Sequence, residues 1–175
     1  MIRFGYLTIT RETTGEAVTG PSVYSMAPDT IEVLDCQHTV RHEYDEQHGV
    51  MSGDRKHEPF LIVKEVDVTT PILCDMCTKA ELCTEVKLEY YIQVGNSPEP
   101  VNFFTWKLTN AYIAHVRLIP CMELPVEYSD QFDLLEEVAF TYQQIQWEHH
   151  AHRAPQGLKD LDQQISADAW SSIAS

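Results

Sequence analysis

Thiol and imidazole side chains are the groups of this 175-residue chain best suited to metal or redox chemistry. Cys74 and Cys77 form a C-x-x-C pair, Cys83 follows soon after, and a histidine cluster occupies positions 149, 150 and 152. Thiolates and imidazoles are the ligands that zinc prefers. A second C-x-x-C is absent, however, and a free cysteine beside apolar neighbours behaves as a small hydrophobic residue. We therefore expect no metal and no cofactor, and a Cys/His zinc site is the alternative.

Carboxylate pairs could instead supply the acid and base of a hydrolase. Candidate pairs are Glu136 with Glu137 and Asp130 with Asp133. Adjacent residues on a strand point to opposite faces, and chance pairs are expected among 27 acidic residues. The sequence also lacks the G-x-S-x-G, H-E-x-x-H, P-loop and dinucleotide-binding patterns, and His115 fits a structural role. We expect a solvated acidic surface, no catalytic residues and no enzyme activity.

The charge balance limits the partners of the chain. Acidic residues outnumber Lys and Arg by 27 to 12, which gives a formal net charge of −15. Such a field repels the phosphates of nucleic acids and of anionic membrane surfaces. The longest apolar run, Phe60–Val63, is far shorter than the roughly 20 residues of a membrane-spanning helix. No signal-peptide pattern is present. We expect a cytoplasmic protein with reduced cysteines, no nucleic-acid partner and no stable membrane insertion.

Strand patterns separated by turn residues dominate the chain. The clearest alternation places five apolar residues on one face, namely Val86, Leu88, Tyr90, Ile92 and Val94. The opposite face is expected outside the core, and it carries Glu85, Lys87, Glu89, Tyr91 and Gln93. Further strands are predicted over residues 2–9, 31–36 and 60–68.

The second half of the chain continues this alternation. The pattern predicts inward side chains at Phe104, Trp106 and Leu108, and then at Tyr112, Ala114, Val116 and Leu118. A last strand begins near Val138, and its apolar phase slips at Gln143–Gln144, which predicts a β-bulge. Residues from 149 to 175 are mostly polar and are interpreted as a C-terminal tail.

One helix and one long loop complete the expected organisation. The helix is predicted over residues 69–80, with Thr70 as its N-cap and Pro71 at its first helical position. The segment 43–56 is polar, contains two glycines and lies between strands, so we predict a long exposed hairpin loop. These elements predict one domain over residues 1–175, mainly β, with a closed or sandwiched antiparallel sheet.

A series of motifs resembles one known family. The pattern H-x-P-F-x-x-x-K-x-x-D and a following Pro-x-Leu helix start comprise His57, Pro59, Phe60, Lys64, Asp67, Pro71 and Leu73. Further matches include the segments 31–33, 53–55, 89–91, 103–111 and 136–147, with Trp147 and Trp170 near the end. On these residues the chain resembles the haemolysin-coregulated protein (Hcp) family of type VI secretion systems. The resemblance is best supported over residues 31–170.

The resemblance implies a two-sheet antiparallel β-barrel with one short α-helix and no active site. It also implies homohexameric rings that stack into a tube, with the sheath, spike and effector proteins of the secretion system as partners. The chain is then expected to leave the cytoplasm through that apparatus without a signal peptide. A runner-up is a soluble secreted or regulatory binding protein on the same fold, with a metal bound through Cys and His residues.

The long loop is the expected contact with an adjacent subunit or ring. The interface hypothesis includes Tyr44, Asp45, Glu46, Gln47, His48, Met51, Asp54, Arg55 and Lys56. Arg55 and Lys56 are adjacent bases, and we expect them to meet acidic residues of a neighbour. Ala80 departs from the family, which usually has Gly after the short helix. If that backbone needs a positive φ, the Ala costs about 1 kcal/mol.

Overall fold

The structure is a computed structural model that describes residues 3–93, 100–120, 134–150 and 163–168. Over these residues it contains one helix, α1 (Thr70–Thr78), and ten strands. The first five strands are β1 (Arg3–Arg11), β2 (Ile31–Val33), β3 (Asp35–Gln37), β4 (Val40–Tyr44) and β5 (Met51–His57). The others are β6 (Phe60–Glu65), β7 (Leu82–Ile92), β8 (Val101–Ile119), β9 (Leu135–His149) and β10 (Gln163–Asp168).

The main sheet is antiparallel and nearly closes on itself. Its order is β2-β1-β7-β8-β9-β6-β3, and β10 pairs with β9. The two end strands, β2 and β3, are consecutive in the chain, with only Leu34 between them. The amide of Leu34 donates to the carbonyl of Val63 at 2.8 Å. Because one continuous segment supplies both ends of the sheet, the sheet curls into a barrel. The predicted mainly β barrel with one helix is confirmed, and β4 and β5 form a small second sheet.

The barrel interior holds the alternating apolar side chains of the strands. Those of the long strands that are almost fully buried are Leu7, Ile9, Val86, Leu88, Leu108, Val138, Phe140 and Ile145. Leu73 and Met76 of α1 are also fully buried in this cluster, because the helix packs against β8. Within the described residues no helix is long and apolar enough to span a membrane.

Strand β7 follows the predicted alternation over most of its length. The prediction fails at Tyr91, which was expected outside the core and is only 7% exposed. The register between β7 and β8 shifts between Tyr90 and Tyr91. Tyr91 packs with Tyr6 and Tyr24 on the far side of the sheet, and the Tyr6 and Tyr24 rings stack with centroids 5.0 Å apart. A second, small aromatic cluster therefore covers the outer face of β7 near Tyr91.

Strand β8 changes phase where the sequence predicted a continuous alternation. Asn110 has a φ of 51°, and the buried residues are Leu108, Ala111 and Ile113. Tyr112 and Leu118, predicted to point inward, are 39% and 57% exposed. The left-handed residue reverses the faces of the strand as far as Ile113, because successive side chains alternate. Beyond the register shift between Ile113 and His115, Val116 packs against the core as predicted.

Strand β9 makes the matching change of phase. The residues that β9 contributes to the main core lie two positions apart from Val138 to Tyr142, and the next one, Ile145, is three positions further on. This is where the sequence predicted a change of apolar phase. The pairings Thr109 with Gln144 and Ala111 with Tyr142 keep one register, however. The cause is therefore a paired irregularity in β8 and β9, and the predicted one-strand bulge at Gln143–Gln144 is wrong. The register of this pair shifts between Ile113 and His115.

Helix α1 ends in a Schellman motif that has alanine at the left-handed position. The amide of Glu81 donates to the carbonyl of Met76 at 2.9 Å, and the amide of Ala80 donates to the carbonyl of Cys77 at 3.1 Å. Ala80 has a φ of 49°. This positive φ is the conformation that glycine adopts most easily. The alanine, which stands where the resembled family usually has Gly, therefore carries backbone strain of about 1 kcal/mol.

The predicted N-cap of α1 is wrong by one residue. Thr69 occupies this position, with no side-chain capping bond to the helix, and Pro71 lies in the first turn. The Thr70 hydroxyl instead accepts from the amide of Asp67 at 3.1 Å. Residues 163–168, interpreted from sequence as part of a tail, form β10 and pair with β9.

Candidate assembly site

The segment interpreted as a long loop is a β-hairpin, here called the arm (Val40–His57). Its strands β4 and β5 pair with each other in a separate two-stranded sheet, and only residues 45–50 form a loop. Every residue of β4 is exposed, and so is every residue of β5 except His57. The prediction of a long exposed hairpin holds, and most of its length is paired strand.

Asp45 organises the turn at the tip of the arm. Its carboxylate accepts from the amide of Gln47 at 2.8 Å and lies 2.7 Å from Nδ1 of His48. The amides of Gly49 and Asp45 close the turn on the carbonyls of Asp45 and Val50. Gly49 has a φ of 65°, which a residue with a side chain rarely adopts. These bonds lower the pKa of Asp45 and give the tip one defined shape.

The middle of the arm contains a bulge and an exposed ion pair. The register between β4 and β5 shifts between His42 and Tyr44, and Gly53 has a φ of 98° opposite this point. A Cβ at Gly53 would lie 3.2 Å from the Glu43 carboxylate. Glu43 pairs with Lys56, and this hydrogen bond lowers the pKa of Glu43. Lys56 thus has a partner within the arm, in addition to any partner on a neighbouring chain.

The arm also exposes apolar surface. Tyr44 and Met51 face each other across the two strands and are 59% and 68% exposed. Val50 beside them is 62% exposed, and Val40 near the base is 44% exposed. A hairpin with ordered main-chain bonds and several exposed apolar side chains is suited to contact another protein surface.

Two histidines attach the arm to the barrel. His38 precedes β4, and His57, the last residue of β5, is only 7% exposed. The hydroxyl of Tyr142 on β9 lies 2.5 Å from Nε2 of His38 and 3.2 Å from Nδ1 of His57. Burial raises the pKa of Tyr142 and lowers the pKa of His38 to about 4. The amide of Glu58 adds a main-chain bond to the carbonyl of Thr39 at 3.0 Å.

The charged residues of the sequence motif form a buried network between β6, β9 and α1. Lys64 and Glu136 are both fully buried, and Nζ of Lys64 lies 2.7 Å from Oε1 of Glu136. Nζ also lies 3.2 Å from Oδ1 of Asp67 and donates to the carbonyl of Glu65 at 2.7 Å. The Thr70 hydroxyl donates to Oε1 of Glu136 at 2.8 Å. The motif K-x-x-D thus ties the start of α1 to two strands.

Asp67 connects this network to the helix start. Its Oδ1 accepts from the amide of Thr69 at 2.7 Å and from the Thr69 hydroxyl at 2.6 Å. The remaining motif residues are apolar or aromatic. Phe60 and Leu73 are fully buried, whereas Trp147 is half-buried against the same core. Pro59 directly precedes β6, and Pro71 lies in the first turn of α1. Trp170 lies outside the described residues.

Comparison with known proteins identifies the family. The model of the family described as "Type VI secretion system effector, Hcp" matches residues 6–149, which include the barrel, the arm and the buried network. The chain belongs to the Hcp family. The "Major exported protein" of Pseudomonas aeruginosa strain PAO1 is 29% identical over 123 residues, which cover 69% of each chain.

Solved Hcp structures share the fold. One described as an Hcp protein has a TM-score of 0.78 at 25% identity and covers 95% of this chain and 98% of its own. The Hcp1 protein of Escherichia coli EAEC 042, in a double mutant, has a TM-score of 0.76 at 23% identity, with the same coverage. The secreted protein Hcp3 of Pseudomonas aeruginosa reaches 0.66 at 22% identity, over 97% of this chain and 100% of its own.

The metal and acid–base candidates are dispersed in this Hcp-family chain. Cys74 is exposed, Cys77 is half-buried, and Cys83 is buried, which raises its pKa to about 12. Among the described residues no group of three or more His, Cys, Asp or Glu side chains could hold a metal ion. The C-x-x-C therefore gains no third ligand within that part of the chain. Cys121 and His152 lie outside it.

The adjacent carboxylates have different surroundings, as the strand geometry predicted. Glu136 faces the interior, which corrects the expectation that it is solvated, whereas Glu137 faces outward. Oε1 of Glu137 lies 2.9 Å from Nε2 of His115, and its carboxylate is 3.4 Å from Arg117. His115 is exposed, and the contact with Glu137 gives its imidazole a partner on the surface of the barrel. Asp130 and Asp133 lie outside the described residues.

One structural pair has no recognisable signal in the sequence. Arg11 on β1 forms a two-point contact with Glu81, with Nε–Oε1 and Nη2–Oε2 distances of 2.9 and 2.6 Å. The side chain of Glu81 is only 4% exposed, and the bond from Arg11 lowers its pKa to about 2. The two residues are 70 positions apart, so only the pairing of β1 with β7 brings them together.

Proposed function

We propose that this chain is the tube subunit of a type VI secretion system. Six copies form a ring, rings stack into a tube, and the bore carries effectors. The observation that carries this proposal is the family match over residues 6–149, which includes the barrel and the arm together. The protein then acts by assembly and not by catalysis.

The arm is the element we assign to contacts between copies. Its exposed apolar side chains Tyr44, Val50 and Met51 support this role, as does its ordered tip. Arg55 and Lys56 bring positive charge to a chain whose net charge is −15. An acidic surface on a neighbouring copy would therefore attract this part of the arm.

The charge of the ring restricts how copies meet. Six chains at −15 each carry 6 × (−15) = −90 formal charges. A Debye length of about 8 Å in physiological salt screens distant charges but not those in contact. Stacking therefore needs local complementarity, and the arm is one place where this chain offers it.

Export and partners follow from the same assignment. A relative is named "Major exported protein", and the family description is "Type VI secretion system effector, Hcp". We infer that the chain assembles in the cytoplasm and leaves through the secretion apparatus. Its partners are then further copies of itself, the sheath, the spike and the effectors in the bore.

Native mass spectrometry and negative-stain imaging of the purified chain test the proposal. We expect a mass of six 20.1 kDa chains and ring-shaped particles with an open centre. A monomer would contradict the tube assignment. A monomer with stoichiometric zinc would instead support the runner-up, a soluble binding protein linked to a metal through Cys and His residues.

A further inference from the structure

The two chain segments that join the arm to the barrel each carry an imidazole, which is half-buried at His38 and buried at His57. His38 lies two positions before β4, and His57 ends β5. Their ring centroids are 6.1 Å apart. Any rotation of the arm against the barrel must move one of these rings, because no other chain segment connects the arm to the rest of the protein.

Tyr142 links the two rings through one hydroxyl. A tyrosine hydroxyl can donate a single hydrogen bond and accept others. The distances of 2.5 Å to Nε2 of His38 and 3.2 Å to Nδ1 of His57 fit a series of hydrogen bonds in which His57 donates to Tyr142 and Tyr142 donates to His38. The carbonyl of Glu58, at 3.4 Å, is a more distant acceptor for the same hydroxyl. The bond to His38 requires a neutral imidazole, because its Nε2 must accept a hydrogen bond.

Among the described residues, the groups whose charge affects the pKa of His38 or His57 are His57 and Arg55, and neither is an anion. The rings of Phe60 and Trp147 lie 5.7 and 5.9 Å from the His38 ring. Nε2 of His57 is buried without a hydrogen-bond partner among the described residues. The charged side chains of the arm strands are Arg41 and Glu43 on β4 and Asp54, Arg55 and Lys56 on β5. Arg41 lies 3.5 Å from Glu58, and Lys56 pairs with Glu43.

This environment lowers the pKa of both histidines. Burial, with a further contribution from His57, lowers the pKa of His38 to about 4. Burial and then the charge of Arg55 lower the pKa of His57. Both rings are therefore neutral when the arm is docked at neutral pH, and both would bind protons more readily once exposed to water.

We propose that His38, His57 and Tyr142 form an acid-sensitive latch that holds the arm against the barrel and releases it when the imidazoles become charged. Protonation of His38 removes the nearer acceptor for the Tyr142 hydroxyl, leaving the Glu58 carbonyl at 3.4 Å, and places a charge in a site where burial disfavours it. The docked arm cannot hold that charge, whereas the released arm exposes it to water. Any effect of the latch on contacts between copies rests on the proposed function, whereas the latch itself is a property of the single chain.

Hydrogen exchange at the base of the arm tests the latch. The amide of Glu58, which bonds to the carbonyl of Thr39, reports opening of the base. With a pKa of about 4 when docked and about 6.5 when released, His38 alone should raise the released fraction about fifty-fold between pH 7 and pH 4.5. The protection factor of the Glu58 amide should fall by the same ratio, while those of the β7 amides of Val86 and Leu88 stay unchanged.

Matched histidine variants complete the test. His38→Gln keeps an uncharged acceptor for Tyr142, so the protection factor of the Glu58 amide should no longer depend on pH, and His57→Gln should weaken that dependence. His48→Gln, at the exposed tip, should behave as the wild type does. A wild-type protection factor at pH 4.5 within two-fold of that at pH 7 would overturn the latch. The same fall in His38→Gln as in the wild type would also overturn it. Native mass spectrometry of the same samples reports assembly separately.

Discussion

Two of the Lys–Glu pairs among the described residues lie in opposite surroundings. Lys64 and Glu136 are both fully buried beneath α1, whereas Lys56 and Glu43 in the arm are each about half exposed. The buried pair is surrounded by further bonds from Asp67 and Thr70. The exposed pair is surrounded by water. The same chemistry therefore fixes the fold in one region and leaves charges available to a partner in the other.

The largest effect is expected from breaking the buried pair. Lys64→Met leaves the Glu136 carboxylate buried without its cation, and it should lower the free energy of unfolding by about 3–5 kcal/mol. Urea denaturation followed by circular dichroism measures the change. The double variant Lys64→Met/Glu136→Met should recover most of the loss. A single variant within 1 kcal/mol of the wild type would contradict the structural role of the network.

A smaller effect is expected at the other end of α1, where the strain is in the backbone and not in a charge. Ala80→Gly relieves a φ of 49° and should raise the free energy of unfolding by about 1 kcal/mol. Ala114→Gly, on the exposed face of β8, is the control and should lower it, since Gly weakens a strand. Thermal unfolding of the two variants separates these signs. An Ala80→Gly variant less stable than the wild type would contradict the claim that Ala80 carries backbone strain.

The smallest effect on stability is expected in the arm. Lys56→Gln removes the exposed ion pair with Glu43 and should change the free energy of unfolding by less than about 0.5 kcal/mol. Urea denaturation under the conditions used for Lys64→Met gives a direct comparison. A loss as large as that of the buried pair would remove the distinction between the two regions.

Local patterns in the sequence were sufficient to predict the main elements of the barrel and its helix. Alternation predicted β7, and Pro71 with helical apolar spacing predicted α1. The Lys64–Glu136 bond joins residues 72 positions apart, so neither partner's neighbours reveal it. Its burial depends on the pairing of β6 with β9, which periodicity does not specify. The sequence motif that contains Lys64 and Asp67 indicated their importance but not their bonds.

The arm and the phase changes were harder to predict for a different reason. The arm strands are exposed on both faces, so no buried face imposes an alternating pattern on Val40–Tyr44 or Met51–His57. Tyr91 follows the polar phase of β7 yet is buried by Tyr6 and Tyr24, which a pattern along one strand cannot show. Asn110 reverses the faces of β8 through one backbone angle.

The proposed division of roles is tested most directly by sedimentation velocity of an arm variant. Arg55→Glu/Lys56→Glu reverses two exposed charges, whereas Lys79→Glu reverses an exposed charge that pairs with Asp75 beside α1. We expect the wild type and Lys79→Glu to sediment as the same assembly and the arm variant to shift toward smaller species, with the fold of its chain retained. An arm variant that sediments as the wild type does would contradict the assignment of the arm to contacts between copies.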